Sequence, residues 1–178
     1  RLPSWIVDRE VQDVIDLGVD LRLNRRVDNL DDLFAEGYDA IFLAVGAHEG
    51  YKMSIPGAEL PGTMVAIHLL RDARLGRPVQ VGKRVIVVGG GNVALDAART
   101  SLRLGAEEVT IVYRRSEEEM PSRREELEAA REEGVQFHFL TNPVRIINGG
   151  GGWVTGIECV RMKLGEPCLL YTSDAADE

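Results

Sequence analysis

Three consecutive glycines, Gly89-Gly90-Gly91, end the β-branched run Val85-Ile86-Val87-Val88 and open onto Asn92-Val93-Ala94-Leu95-Asp96. Gly89-x-Gly91-x-x-Ala94 fits the dinucleotide fingerprint with alanine in the third place. Gly89 permits the sharp turn off a strand. Gly91 lacks a Cβ, so a pyrophosphate can approach the backbone. Ala94 is small enough for a helix to lie close to the strand. Such a helix begins with free N–H groups and a positive dipole end, which suits phosphate. Gly89, Gly90, Gly91, Asn92, Val93 and Ala94 are therefore candidate cofactor-binding residues, with Gly89, Gly91, Asn92 and Val93 facing the pyrophosphate. A tight strand-to-helix corner with no ligand is the competing reading. Asp96 reads first as an acid suited to the helix dipole.

The end of the next strand discriminates between nucleotides. A site for a ribose 2′-hydroxyl carries Asp or Glu there; this chain has Tyr113-Arg114-Arg115-Ser116. An acid would repel a 2′-phosphate, whereas two guanidiniums clamp it through charge-assisted hydrogen bonds. Arg114 and Arg115 thus point to NADP(H), against the alternative that they only solvate a strand end.

Other chemistry is thinly represented. His48, His68 and His138 are scattered and read as surface or packing residues. Cys159 and Cys168 form no Cys-x-x-Cys pair and have no histidine at ligand spacing, so neither a metal nor an iron–sulfur site is expected in this stretch, and both read as ordinary reduced thiols. The acidic clusters at 117–119 and 125–133 read as solvated helix faces. No Ser/His/Asp or Cys/His arrangement is found, so no catalytic residue is assigned.

The elements that must position these groups can be read along the chain. Trp5 to Leu17 carries a helical apolar stripe stopped by Gly18. Val19 to Leu23 and the segment from Val27 read as short extended pieces, and Asn29 to Phe34 as a helical turn. Tyr38 to Gly46 is an apolar run, as in a strand buried on both faces. A loop over 47–61 and a helix over 63–75 follow, and the Gly/Pro stretch 76–82 reads as a linker and subdomain boundary. Strands at 83–88, 109–113 and 135–140 then alternate with helices at 92–104 and 123–133. This βαβαβ unit implies a parallel sheet. Ser116 to Glu119 and Ser122 to Glu125 are both capping-box patterns. Residues 144–162 read as an antiparallel hairpin turning at 148–152.

The chain has 178 residues, 44% of them hydrophobic, and a formal net charge of −8. Acidity argues against nucleic-acid or anionic-membrane binding. No apolar run approaches the ~20 residues of a membrane span. Arg1-Leu2-Pro3 opens without a signal-peptide core, and the missing initiator Met points to a start further upstream.

Several motifs occurring in order resemble one family: Gly89 to Ala94, Arg103-Leu104-Gly105-Ala106, Tyr113-Arg114-Arg115, Met120-Pro121, Glu133-Gly134-Val135 and Cys159 to Pro167. Together they look like the NADPH-binding part of the glutamate synthase small (beta) subunit family. That module is shared with dihydropyrimidine dehydrogenase and with NADP-binding subunits of ferredoxin oxidoreductases. The run Asp39 to Ala47 resembles the joint between that family's FAD and NADP domains, which would lay Ala44, Val45 and Gly46 against FAD. The resemblance covers about residues 1–167. It implies an α/β architecture with two dinucleotide sites: a partial FAD-binding domain with linker (1–80), then a Rossmann-type parallel-sheet NADP-binding domain with an antiparallel hairpin (81–167).

By the same resemblance, the parent protein would be a cytoplasmic oxidoreductase. It would pass hydride from NADPH to FAD, and electrons through iron–sulfur centres upstream of this stretch to a large subunit or ferredoxin-type partner. The family's FAD-binding glycine turn would precede Arg1, and residues 168–178 depart from the pattern and read as a non-native tail. The chain alone is accordingly expected to be an inactive fragment. A ferredoxin:NADP or thioredoxin-reductase-like flavoprotein, or a non-catalytic NADP-sensing module, are the alternatives.

Overall fold

The computed structural model describes residues 2–165. Within them the chain forms two compact units, divided between Gly46 and Ala47. The first holds α1 (Ser4–Asp16) and α2 (Leu30–Ala35). The Asn29 side chain caps α2 by accepting from the Asp31 N–H at 3.0 Å, satisfying an amide that has no helical acceptor. Neither helix has a buried residue.

Two expectations fail in this unit. Neither residues 19–27 nor residues 38–46 form a strand. Phe42, Leu43 and Val45 are largely exposed rather than buried. β propensity describes fitness for a pleated, half-buried surface; it does not supply the neighbouring strand whose hydrogen bonds would make one.

The second unit begins with loop and then α3 (Ala66–Arg74), followed by β1 (Arg84–Val88), α4 (Asn92–Arg103), β2 (Glu108–Val112), a 3₁₀ turn at Glu117–Glu119, α5 (Arg124–Glu132) and β3 (Gln136–His138). The strands form a parallel sheet in the order β1-β2-β3, with Val88 paired to Val112 and Val112 to His138. This is the βαβαβ unit read from the alternation of short β-branched runs with helical stripes. Its core lies between α4, α5 and the sheet: Leu95, Ala98, Val109, Ile111 and Ala130 are completely buried. Because α3 packs on α4, the compact division falls before α3 rather than within 76–82.

An antiparallel hairpin follows, β4 (Thr141–Asn148) with β5 (Val154–Arg161). The Asn148 carboxamide closes its turn by accepting from the N–H groups of Gly150 and Gly152. The hairpin is tied to the parallel sheet through Thr141, whose N–H donates to the Tyr113 carbonyl at 2.9 Å. Among the described residues no helix is long and apolar enough to cross a membrane. Cys159 lies half-buried on β5, where burial pushes its thiol pKa up; Cys168 and the rest of the tail lie outside the described residues.

Candidate dinucleotide-binding site

The three glycines after β1 do three different things. Gly89 adopts φ +134, which L side chains rarely take, and its N–H donates to the Val112 carbonyl at 3.0 Å. The turn is thereby fastened to the end of β2. Gly90 is buried against Tyr113, and a Cβ on it would stand 2.5 Å from the ring. Gly91 is the N-cap of α4 at φ −82 and ψ 174, ordinary extended backbone, and a Cβ there would meet nothing within 4 Å. Neither backbone strain nor packing within the described residues requires glycine at 91.

Beyond Gly91, Ala94 is buried and lies close enough to Gly89 that a Cβ on the glycine would stand 3.5 Å from its own. This is the close strand–helix approach expected of a small residue there. The N–H groups of Ala94 and Leu95 both donate to the Gly91 carbonyl. The amides of Asn92 and Val93 precede them and have no acceptor within the helix. They sit at the positive end of the α4 dipole, and both side chains are exposed.

Arg114 and Arg115 leave β2 just beyond Tyr113. Since β1 and β2 are parallel with Val88 opposite Val112, the glycine turn and the two arginines share the carboxyl edge of the sheet. Both arginines are half-buried, and each already has a partner within the chain. The Arg115 carbonyl accepts from the Leu140 N–H at 2.9 Å. The structure thus brings Gly89 to Ala94 together with Arg114 and Arg115. Ala44, Val45 and Gly46 belong to the first compact unit, in an exposed segment that forms no strand.

Some residues that shape this edge give no local signal in the sequence. Tyr113 is almost wholly buried, and its hydroxyl donates to the Glu119 carbonyl at 2.9 Å. The Asn92 side chain accepts from the Arg123 N–H at 3.1 Å. That bond corrects the second capping box. The N-cap of α5 is Arg123, with no cap from its own side chain, while Ser122 Oγ is buried without a hydrogen-bond partner. The first capping box does form, at Ser116 and Glu119.

The acidic clusters also prove to be more than solvated faces. Glu117 takes both guanidinium nitrogens of Arg131, Nη1 at 2.8 Å and Nη2 closer still, and this hydrogen bonding holds its pKa below the usual range. Arg99, on α4 and only 16% exposed, reaches Glu126 at 2.8 Å and Glu133 at 2.6 Å. Hydrogen bonding to Arg99 lowers the pKa of Glu133. A depressed carboxylate contributes stability above its ordinary pKa and loses it as the pH falls through the depressed value. Arg99→Met is expected to lower stability by about 1–3 kcal/mol at pH 7. In denaturant titrations the gap between the two proteins should narrow below about pH 4.5; a gap constant down to pH 3 would show that the ion pairs contribute nothing to it.

Known proteins resemble the chain over most of its length. The family described as pyridine nucleotide-disulphide oxidoreductase matches residues 5–167. Over 94% of its length the chain is 43% identical to the NADPH-Fe(3+) oxidoreductase subunit beta of Geobacter sulfurreducens and 45% identical to the NADP(+)-dependent formate dehydrogenase subunit beta of Moorella thermoacetica. It is 38% identical, again over 94%, to the glutamate synthase [NADPH] small chain of Escherichia coli. It spans only 26%, 24% and 38% of those relatives' own lengths. Among solved structures, a point mutant of FprA from Mycobacterium tuberculosis shares the fold, with a TM-score of 0.54 and 21% identity over 76% of this chain and 51% of that one. With the glycine turn, the parallel βαβαβ sheet and a match across nearly its whole length, the chain belongs to the pyridine nucleotide-disulphide oxidoreductase family.

Proposed function

We propose that the edge formed by Gly89 to Ala94 with Arg114 and Arg115 binds NADP(H). The observation that carries this is Gly91, a glycine that the fold itself does not need, at the mouth of a helix whose first amides lack acceptors. The amides of Asn92 and Val93 would hold the pyrophosphate, and Arg114 and Arg115 the 2′-phosphate. Three relatives carry NADPH or NADP(+) in their names, which supports the same nucleotide. Titrating the chain with NADPH and with NADH tests the reading: tighter binding of NADPH is expected, and equal affinity would overturn it.

In the longer protein, the module would serve an FAD-dependent oxidoreductase of the glutamate synthase small-subunit type, in a cytoplasmic setting. Within residues 1–80, the first compact unit would belong to the FAD-binding part, with Ala44, Val45 and Gly46 against the flavin, and 81–167, on whose α4 the α3 helix packs, to the NADP-binding part. NADPH, when bound there, would supply a hydride to the flavin. The chain's own residues bind and orient the nucleotide, and such work needs no acid–base side chain. Relatives that are named as subunits support a partner subunit; in our reading electrons would pass onward through iron–sulfur centres to an electron-accepting large subunit or ferredoxin-type partner. The 178-residue chain by itself is expected to hold no flavin, because residues 38–46 form no strand and are largely exposed. A purified preparation that is yellow and oxidises NADPH would contradict that expectation.

A further inference from the structure

The stretch from Tyr113 to Arg123 carries both arginines and is fastened at each end to the glycine turn. At its start the Tyr113 ring lies against Gly90, so closely that no Cβ fits between them, and the Tyr113 hydroxyl donates to the Glu119 carbonyl at 2.9 Å, drawing the 3₁₀ turn inward. At its end the Arg123 N–H donates to Asn92 Oδ1 at 3.1 Å. Asn92 is the first residue of α4, the helix whose amides face the proposed pyrophosphate position. Between these points the Arg115 carbonyl accepts from Leu140, and Glu117 is paired to Arg131.

From this we propose that Tyr113 and Asn92 are specificity-positioning residues. They pin the arginine-bearing loop to the pyrophosphate turn, so that the distance between the two phosphate subsites is set before NADP(H) arrives. The proposal rests on the NADP(H) reading of the site and adds to it. The Asn92 side chain acts on the loop, and only its backbone amide faces the nucleotide. Both pins act through other residues, so their loss falls on the 2′-phosphate subsite alone. A loop fixed in its bound shape loses less freedom on binding, and that gain goes to the nucleotide whose extra phosphate the loop contacts.

The test compares NADPH and NADH affinities of the 178-residue chain by fluorescence titration, in Tyr113→Phe, Asn92→Ala and Asn92→Asp. Tyr113→Phe keeps the ring on Gly90 and removes only the hydroxyl. Asn92→Asp keeps the acceptor oxygen. Tyr113→Phe and Asn92→Ala should each cut the NADPH-over-NADH preference about three- to tenfold, the size of one lost hydrogen bond, with NADH nearly unchanged in Tyr113→Phe. Asn92→Asp should retain the preference. Amide exchange at Arg123 should quicken in Asn92→Ala and stay slow in Asn92→Asp. Parallel loss of both nucleotides would overturn the pinning role and assign the Asn92 side chain to the pyrophosphate, and an unchanged preference with a faster Arg123 amide would overturn it too. If the unsubstituted chain has no preference for NADPH, the underlying reading falls with it. If it has one that only the arginine substitutions remove, the pinning alone is wrong.

Discussion

Replacing Arg114 and Arg115 together by alanine raises the Kd for NADPH by about 100-fold or more, while that for NADH changes by no more than about threefold. A hydrogen bond to a charged group contributes about 1.5–3 kcal/mol, and each 1.4 kcal/mol is tenfold in affinity. Two guanidiniums on one phosphate therefore carry at least about 100-fold, and half-burial at the sheet edge shields them less than full burial would. NADH is the necessary control, because both arginines already have partners within the chain and their removal can disturb the edge by itself. Such damage would weaken the two nucleotides alike and would leave the arginines as solvating residues. Two further readings sharpen the result. The NADPH advantage should shrink as salt is raised from ~0.05 M to ~0.5 M, since exposed charge pairs are screened. Lysine at both positions should restore only part of it, since an ammonium lacks the planar fork that grips phosphate bidentately.

The candidate site was legible in the sequence where its pattern is local. A β-branched run, a glycine stop and a small-residue helix form one continuous pattern, so Gly89, Gly91 and Ala94 could be given tasks from spacing alone. Arg114 and Arg115 were legible because a parallel sheet puts the ends of β1 and β2 on one edge. The rest depends on which residues meet across many intervening positions. Asn92 with Arg123, Tyr113 with Gly90, and Arg99 with Glu126 and Glu133 are contacts between elements, and no period of 2 or 3.6 encodes them. The second capping box shows the same limit. Its residues are present, but the Asn92 side chain takes the amide of Arg123 and α5 begins one residue later. Residues 38–46 show it for strands: an apolar run specifies what would be comfortable in a sheet, while a strand exists only where a neighbour pairs with it.

The largest separation of folding from binding is expected between neighbouring glycines. In Gly90→Ala the new methyl would lie 2.5 Å from one Tyr113 ring carbon and 2.7 Å from the next. The ring is almost wholly buried and its hydroxyl is held by Glu119, so it cannot swing aside without breaking that bond. Overpacking of this kind costs about 1–3 kcal/mol, which in a domain of this size lowers the Tm by roughly 2–12 °C. Gly91→Ala meets nothing within 4 Å and keeps an ordinary φ of −82. Its cost to the fold is that of alanine at an N-cap, no more than about 1 kcal/mol. Its cost to binding is larger. The methyl occupies the space through which a pyrophosphate would reach the α4 amides, and each charge-assisted bond lost there is worth about tenfold or more. NADPH and NADH share the pyrophosphate, so both should weaken together, by about 10- to 100-fold, with their ratio unchanged. Thermal melts and paired titrations of the two variants decide the matter. A Gly91→Ala protein that binds both nucleotides like the unsubstituted chain would mean that the space before α4 receives no phosphate. A Gly90→Ala protein that melts unchanged would mean that the Tyr113 ring does not rest on the turn.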